Sequence, residues 1–166
     1  MKFLVMEAAI FDIDGVIADV SERLRKALEP FGKKSVEALS RDEKKKFWEE
    51  FLNPQLLKLD KPKIEVINHV RRLSERGIRI IIVTGRSREK QKDGTIEQLK
   101  SWDIPYHEIY FRGKNDLRKE EIYKRSVIKS LLKKGYRIIE LWEDNQKVID
   151  SIRDLIPEAK IVKVEG

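Results

Sequence analysis

The chain has 166 residues, 40% hydrophobic and 39% charged, with a formal net charge of +7 and no cysteine. That length suits one domain with a real core, and that balance excludes a disordered chain. Without cysteine there is no disulfide, thiolate metal site or thiol nucleophile, and the positive charge favours polyanions and phosphorylated molecules.

No apolar run approaches membrane-spanning length, and residues 1–6 are too short and too soon interrupted for a signal peptide. A cytoplasmic protein without membrane contact is therefore expected. Residues 6–11 form an apolar run broken only by Glu7 and read as a buried β-strand. The strand runs into Asp12-Ile13-Asp14-Gly15, two carboxylates before a glycine turn. On an extended backbone Asp12 and Asp14 project to the same side, about 6–7 Å apart. Such a pair attracts a hard divalent cation, and a cation there can hold a phosphate against one of the acids. The same stretch also reads as an acidic strand end of the kind any α/β protein can carry, and both readings stand at this point.

Helical spacing covers residues 20–28. A polar segment follows, in which Ser40 and Glu43 form a capping-box pattern ahead of Phe47, Trp48 and Phe51. Residues 20–60 are expected to be a small helical insertion, and the three aromatics are either its own packing or a base-stacking surface. Pro62 opens the next helix, with Ile64, Ile67, Val70 and Leu73 as its buried stripe. The β-branched run 78–83 marks a central parallel strand ending at Thr84-Gly85-Arg86. A helix loosened at Gly94 follows, then a short strand over 108–111 and a polar loop over 112–118. The remaining elements are a helix over 119–134, a strand over 137–142 ending in Glu143-Asp144, a helix over 146–155 and a strand over 160–164. His69 and His107 have no metal-ligand spacing, and Trp142 reads as core.

Strands alternating with helices predict an α/β fold, a doubly wound parallel sheet whose ligands bind beyond the carboxyl ends of the strands. Asp12/Asp14, Thr84/Gly85/Arg86 and Glu143/Asp144 then share one rim. This ordered set resembles the haloacid dehalogenase-like (HAD) phosphohydrolases over essentially the whole chain, with Asp12-Ile13-Asp14-Gly15 as the first motif. Thr84-Gly85, a lysine on the following helix and Glu143-Asp144 complete it. Within that superfamily the chain is similar to the 3′-phosphatase domain of phage-type polynucleotide kinases and its stand-alone relatives. Arg23-Leu24, Thr84-Gly85-Arg86 and the run from Arg118 to Lys124 carry that likeness. The chain departs from the pattern in having Glu120 for aspartate and Glu143-Asp144-Asn145 for Asp-Asp-Arg.

The resemblance implies a Rossmann-like HAD sheet with residues 20–60 as a small helical cap, all within one domain over 1–166. It implies a Mg²⁺-dependent phosphatase of a phosphomonoester substrate, with nucleic-acid ends or small phosphorylated metabolites as substrate classes. Asp12 would be the nucleophile and Asp14 the acid–base group. Asp12, the Asp14 carbonyl and Asp144, with Glu143 close by, would bind the metal. Lys124, the Thr84 hydroxyl and the Gly85 N–H would hold phosphate oxygens, and Arg23 and Arg86 would grip further anionic parts of the substrate. Each of these residues has a plainer reading: Lys124 as one of several helix lysines, Thr84 as a strand end, Arg23 as helix surface, Arg86 as the partner of an acid such as Asp144. A catalytically silent nucleic-acid-binding protein is the contrasting class. No G-x-x-x-x-G-K-[ST] phosphate loop occurs, so a kinase half is not expected in this chain.

Overall fold

The computed structural model describes residues 5–166, so residues 1–4 of the stretch weighed as a signal peptide lie outside the described residues. The central strand β1 (Met6–Phe11) alternates its side chains between two separate cores. Ala9 and Phe11 join one cluster with Val66, Ile67, Val70 and Leu73, while Ala8 and Ile10 join another with Ile128, Leu131, Val148 and Ile152. Period-two alternation with both faces apolar is what a sheet covered on both sides requires. Each fully buried aliphatic side chain contributes about 1.5–3 kcal/mol toward that packing.

After β1 come β2 (Ala18–Asp19), α1 (Ser21–Leu28), α2 (Arg41–Phe51), β3 (Lys61–Pro62) and α3 (Ile64–Glu75). The order continues with β4 (Arg79–Ser87), α4 (Arg88–Ser101), β5 (Glu108–Arg112), α5 (Glu120–Lys133), β6 (Tyr136–Glu143), α6 (Gln146–Ile152) and β7 (Lys160–Lys163). The main sheet runs β5-β4-β1-β6-β7, every pairing parallel. This is the expected doubly wound α/β arrangement, with α3 and α4 on one face and α5 and α6 on the other. Among the described residues no helix is long and apolar enough to cross a membrane.

Several local expectations change. Lys61 and Pro62 do not open a helix but pair antiparallel with Asp19 and Ala18, so the helix begins at Ile64. Ile64 is then 58% exposed, and Val66 takes the buried place in its stripe. Helix α4 runs unbroken through Gly94, whose lack of a side chain admits Leu57: an added Cβ would lie 3.0 Å from Leu57 Cδ1. Strand β4 extends to Ser87, but its register with β5 lapses between Val83 and Ser87.

The insertion between β2 and β3 has its own small core of Ala27, Leu28, Leu39 and Phe47, with Phe51 packed against it. Ser40 Oγ accepts from Glu43 N at 3.2 Å and Glu43 Oε1 accepts from Ser40 N at 2.8 Å, the capping box read from sequence. Phe47 is fully buried, Trp48 is half exposed, and the two meet edge to face.

Candidate active site

Strand β1 ends at Phe11, and the chain turns at once: the N–H groups of Val16, Ile17 and Ala18 all donate to Ile13 O. Gly15 takes φ +82°, where a side chain is strained, and an added Cβ there would stand 2.2 Å from Asp144 Oδ2. The extended backbone assumed from sequence therefore stops before Asp14. Asp12 and Asp14 hold different partners.

Asp12 is buried. Its Oδ1 accepts from Ile13 N at 2.7 Å and its Oδ2 lies 2.9 Å from Lys124 Nζ. Lys124, one turn into α5, is also buried, and its ammonium meets Glu143 Oε1 at 2.6 Å and Glu120 Oε1 at 2.9 Å. The plain surface reading of Lys124 is excluded. Burial opposes its charge, but Asp12, Glu143 and Glu120 outweigh that and hold it well above the ordinary lysine range. Burial also drives the Asp12 carboxyl well above its usual value; Lys124 opposes this, while Glu143, Glu120 and Asp14 add to it. Asp144 is raised by the same two causes, burial and neighbouring acids, Asp12 among them.

Glu143 does not stand beside Asp144 as a free acid. Its Oε1 holds Lys124, and its Oε2 accepts from the N–H of Asp144 at 2.9 Å and of Asn145 at 3.3 Å. Both oxygens accept hydrogen bonds, so Glu143 orients the lysine, and it also stands in the acidic group whose oxygens could hold a cation. Burial raises its carboxyl, and Lys124 opposes that shift.

Asp14 is held by a different set of partners. Arg23 Nη2 at 2.7 Å, Arg86 Nη2 at 2.7 Å and Arg86 Nε at 3.0 Å all donate to its Oδ1. Its Oδ2 accepts no hydrogen bond among the described residues. Burial pushes its carboxyl up, but Arg86 and Arg23 reverse that and leave it below the usual range. The expectation that Arg23 and Arg86 reach out to substrate is also corrected. Both are buried, and their donors go to Asp14, Asp60, Thr95, Gln98 and, for Arg23 Nη1, the Phe51 carbonyl at 3.5 Å. A guanidinium enclosed by carboxylates on the inside has no fork left to offer outside.

Thr84 lies where the β4–β5 ladder lapses; its Oγ1 accepts from Arg86 N at 3.1 Å, and its carbonyl accepts from Tyr123 O–H at 3.1 Å. The hydroxyl proton of Thr84 has no acceptor among the described residues and remains to be donated. Gly85 stands beside Glu120, which an added Cβ would approach at 3.5 Å. Asp60 and Lys63 were not singled out from the sequence, and Glu120 was noted only as a departure from the family pattern. Glu120 carried a readable signal, four residues before Lys124 on one helix face. Lys63 donates to Gly15 O at 2.8 Å and to Glu165 O at 2.7 Å, tying the acidic turn to the last residues of the chain. His107 Nδ1 accepts from Ile80 N at 2.9 Å and His69 pairs with Glu140, so both histidines are structural.

Oxygens of Asp12, Glu120 and Glu143 lie within 4.8 Å of one another, and Lys124 Nζ bonds to all three. Three acids meet one ammonium, and Asp144 is near enough to feel the charges of Asp12, Lys124 and Glu120. The surplus negative charge and the raised Asp12 and Asp144 carboxyls make this donor set fit for a hard divalent cation.

A buried aspartate at the end of the central parallel strand, faced by lysine, threonine and a second acidic pair on one rim, defines a HAD-type phosphatase site. Residues 44–165 match the family described as "Polynucleotide kinase PNKP phosphatase domain", and the chain belongs to that family. The matched span begins after Asp12 and Asp14 and includes Thr84, Lys124 and Asp144. The fold is similar to a chain of the Pnkp1/Rnl/Hen1 complex, at 20% identity and TM-score 0.68 over 96% of this chain and 46% of that one. This protein thus spans less than half the length of that relative. It is also similar to the class C acid phosphatase from Bacillus anthracis with tungstate bound, at 15% identity and TM-score 0.62 over 98% of this chain and 68% of that one. CbbY from Rhodobacter sphaeroides in complex with phosphate is a third, at 13% identity and TM-score 0.61 over 98% of this chain and 87% of that one. No curated protein matches the sequence at the threshold applied.

Proposed function

We propose that this phosphatase is a Mg²⁺-dependent phosphomonoesterase that works through an aspartyl-phosphate on Asp12 and removes 3′-phosphates from polynucleotide ends. The observation that carries the chemistry is the buried contact of Asp12 Oδ2 with Lys124 Nζ at 2.9 Å, on the rim that Thr84 and Asp144 share. A carboxylate attacking a dianionic phosphate is repelled, and only a site dense in fixed donors and positive charge overcomes this.

Asp12 attacks phosphorus in line, and the alkoxide leaves opposite to it. Lys124, fixed by Glu143 and Glu120, holds a phosphate oxygen together with the Thr84 O–H and the Gly85 N–H. Asp14 Oδ2, the oxygen left open by the arginines, gives a proton to the leaving alkoxide and later takes one from the attacking water. The arginines keep Asp14 ionised in the free protein; an arriving dianion raises its proton affinity, and Asp14 takes up a proton from solvent as substrate binds, the proton it then gives to the alkoxide. Asp12, Asp144 and the Asp14 carbonyl would hold Mg²⁺, which when bound supplies positive charge beside the phosphate.

Residues 20–60 serve as a cap that shields one side of the rim and leaves room for a polymer end. The net charge of +7 and the family match support a nucleic-acid substrate. A chain of an RNA repair complex shares the fold at 20% identity, covering 96% of this chain.

The test is phosphate release with Mg²⁺ and with EDTA, for wild type and Asp12→Asn. Its panel holds a 3′-phosphorylated and a 5′-phosphorylated oligonucleotide, 3′- and 5′-mononucleotides and a sugar phosphate. Metal-dependent release from the 3′-oligonucleotide, lost in the variant, is expected. Preference for a mononucleotide or sugar phosphate moves the substrate to small metabolites, and no release from any of them overturns the reading.

A further inference from the structure

Asp60 closes the last turn of the insertion, directly after the 3₁₀ segment Pro54–Leu59, and its side chain is completely buried. It has no access to a substrate. Yet Arg23 Nε reaches its Oδ1 at 3.0 Å, while Arg23 Nη2 at 2.9 Å, Arg86 Nη2 at 2.9 Å and Gln98 Nε2 at 3.2 Å reach its Oδ2. The two Nη2 atoms are the same ones that donate to Asp14 Oδ1. Two guanidiniums and two carboxylates therefore form a closed, charge-neutral square, with Asp60 as its inner corner and Asp14 as its outer one. Gln98 braces it from α4, accepting from Arg86 Nη1 at 2.8 Å.

From this geometry we infer that Asp60 is a positioning residue for leaving-group protonation: by fixing both arginines it fixes Asp14 Oδ1 and so aims Asp14 Oδ2. The inference rests on the acid–base role proposed for Asp14. Without the Asp60 charge, two buried guanidiniums converge on a single carboxylate; Arg86 keeps Thr95 and Gln98, but Arg23 keeps only the Phe51 carbonyl, at 3.5 Å, on its far side. Asp14 then keeps its partners but loses its aim, and a misplacement of about 1 Å can cost roughly 100-fold in rate. Arg23 and Asp60 belong to the insertion, whereas Arg86 and Gln98 belong to β4 and α4. The aim of the acid is consequently set where insertion and sheet meet.

The discriminating measurement is kcat/KM for two esters, thymidine 3′-monophosphate and p-nitrophenyl phosphate, in wild type and Asp60→Asn. The alkoxide of the first needs a proton to leave, and the phenolate of the second does not. Asp60→Asn is expected to lower kcat/KM on the nucleotide by about 10–100-fold and on the phenyl ester by less than about threefold. Equal losses on both esters, or no loss on either, with the melting transition retained, overturn the inference. Where Asp60→Asn loses its melting transition, Gln98→Ala decides. It removes the brace and keeps all four charges, and the same selectivity with a smaller factor is expected; a uniform loss or none overturns the inference. Wild type inactive on both esters instead overturns the phosphatase mechanism itself, and the Asp60 role with it.

Discussion

Glu143 Oε1 meets Lys124 Nζ at 2.6 Å deep in the rim, and that contact turns the ammonium toward Asp12. Removing the cation leaves Asp12, Glu120 and Glu143 close together with no positive charge among them. Lys124→Met is therefore expected to destabilise the fold by about 3–5 kcal/mol, as breaking a buried ion pair does. It should also abolish phosphate release. Glu143→Gln keeps a donor–acceptor contact and should cost less stability while slowing turnover about 10–100-fold. Urea unfolding beside a turnover assay checks both.

The surplus of acids around Asp12 and Asp144 predicts a ligand effect in the absence of substrate. Millimolar Mg²⁺ should raise the melting temperature of the wild type, because a cation that binds only the folded form shifts the equilibrium by mass action. Asp144→Ala should remove most of that increment. A thermal melt of each protein with and without Mg²⁺ settles it, and an equal rise in both would place the ion elsewhere.

Gly15→Ala tests the turn. Its φ of +82° and the 2.2 Å approach of Asp144 Oδ2 act together, so a methyl group both strains the backbone and displaces the acid. The expected loss is about 1–3 kcal/mol, measured by denaturant unfolding, together with weaker activation by Mg²⁺.

Far from the rim, Glu108 accepts from the hydroxyls of Tyr110 and Tyr136 and from Lys134 Nζ. Burial pushes its carboxyl up, but these donors outweigh that and bring it from 4.5 to about 2. A carboxyl lowered on folding stabilises above its unfolded value and stops doing so as pH falls through its folded value. Glu108→Gln should therefore be about 1 kcal/mol less stable than wild type at neutral pH. That gap should shrink between pH 4.5 and about 2. Melting both proteins across that range checks the sign.

The sheet was legible because its strands advertise themselves: residues 6–11 and 78–83 can only be covered strands, and the helices between them are periodic. Asp12, Thr84, Lys124 and Asp144 fall on the expected rim because each follows or faces such a strand. What the sequence hid are contacts across long separations. Nothing local shows that Arg23 pairs with Asp60, 37 residues on, or that Arg86 pairs with Asp14, 72 residues back. An arginine near a phosphate motif looks like a substrate clamp until the acids enclosing it are seen. The spacing of Asp12 and Asp14 showed two acids at one strand end, but not the turn over Ile13–Ala18 that gives each its own partners.

The pairing of Ala18 and Asp19 with Pro62 and Lys61 brings the two ends of a long excursion side by side. The sheet consequently meets the same closed neck whatever length of chain leaves and returns through it. Grafting should be tolerated there: a shorter or longer segment can replace the middle of the excursion while β1 and α3 keep their places. The graft must still deliver an arginine and an aspartate to the positions of Arg23 and Asp60, so the freedom to vary lies in the connection between α1 and α2, not at the neck.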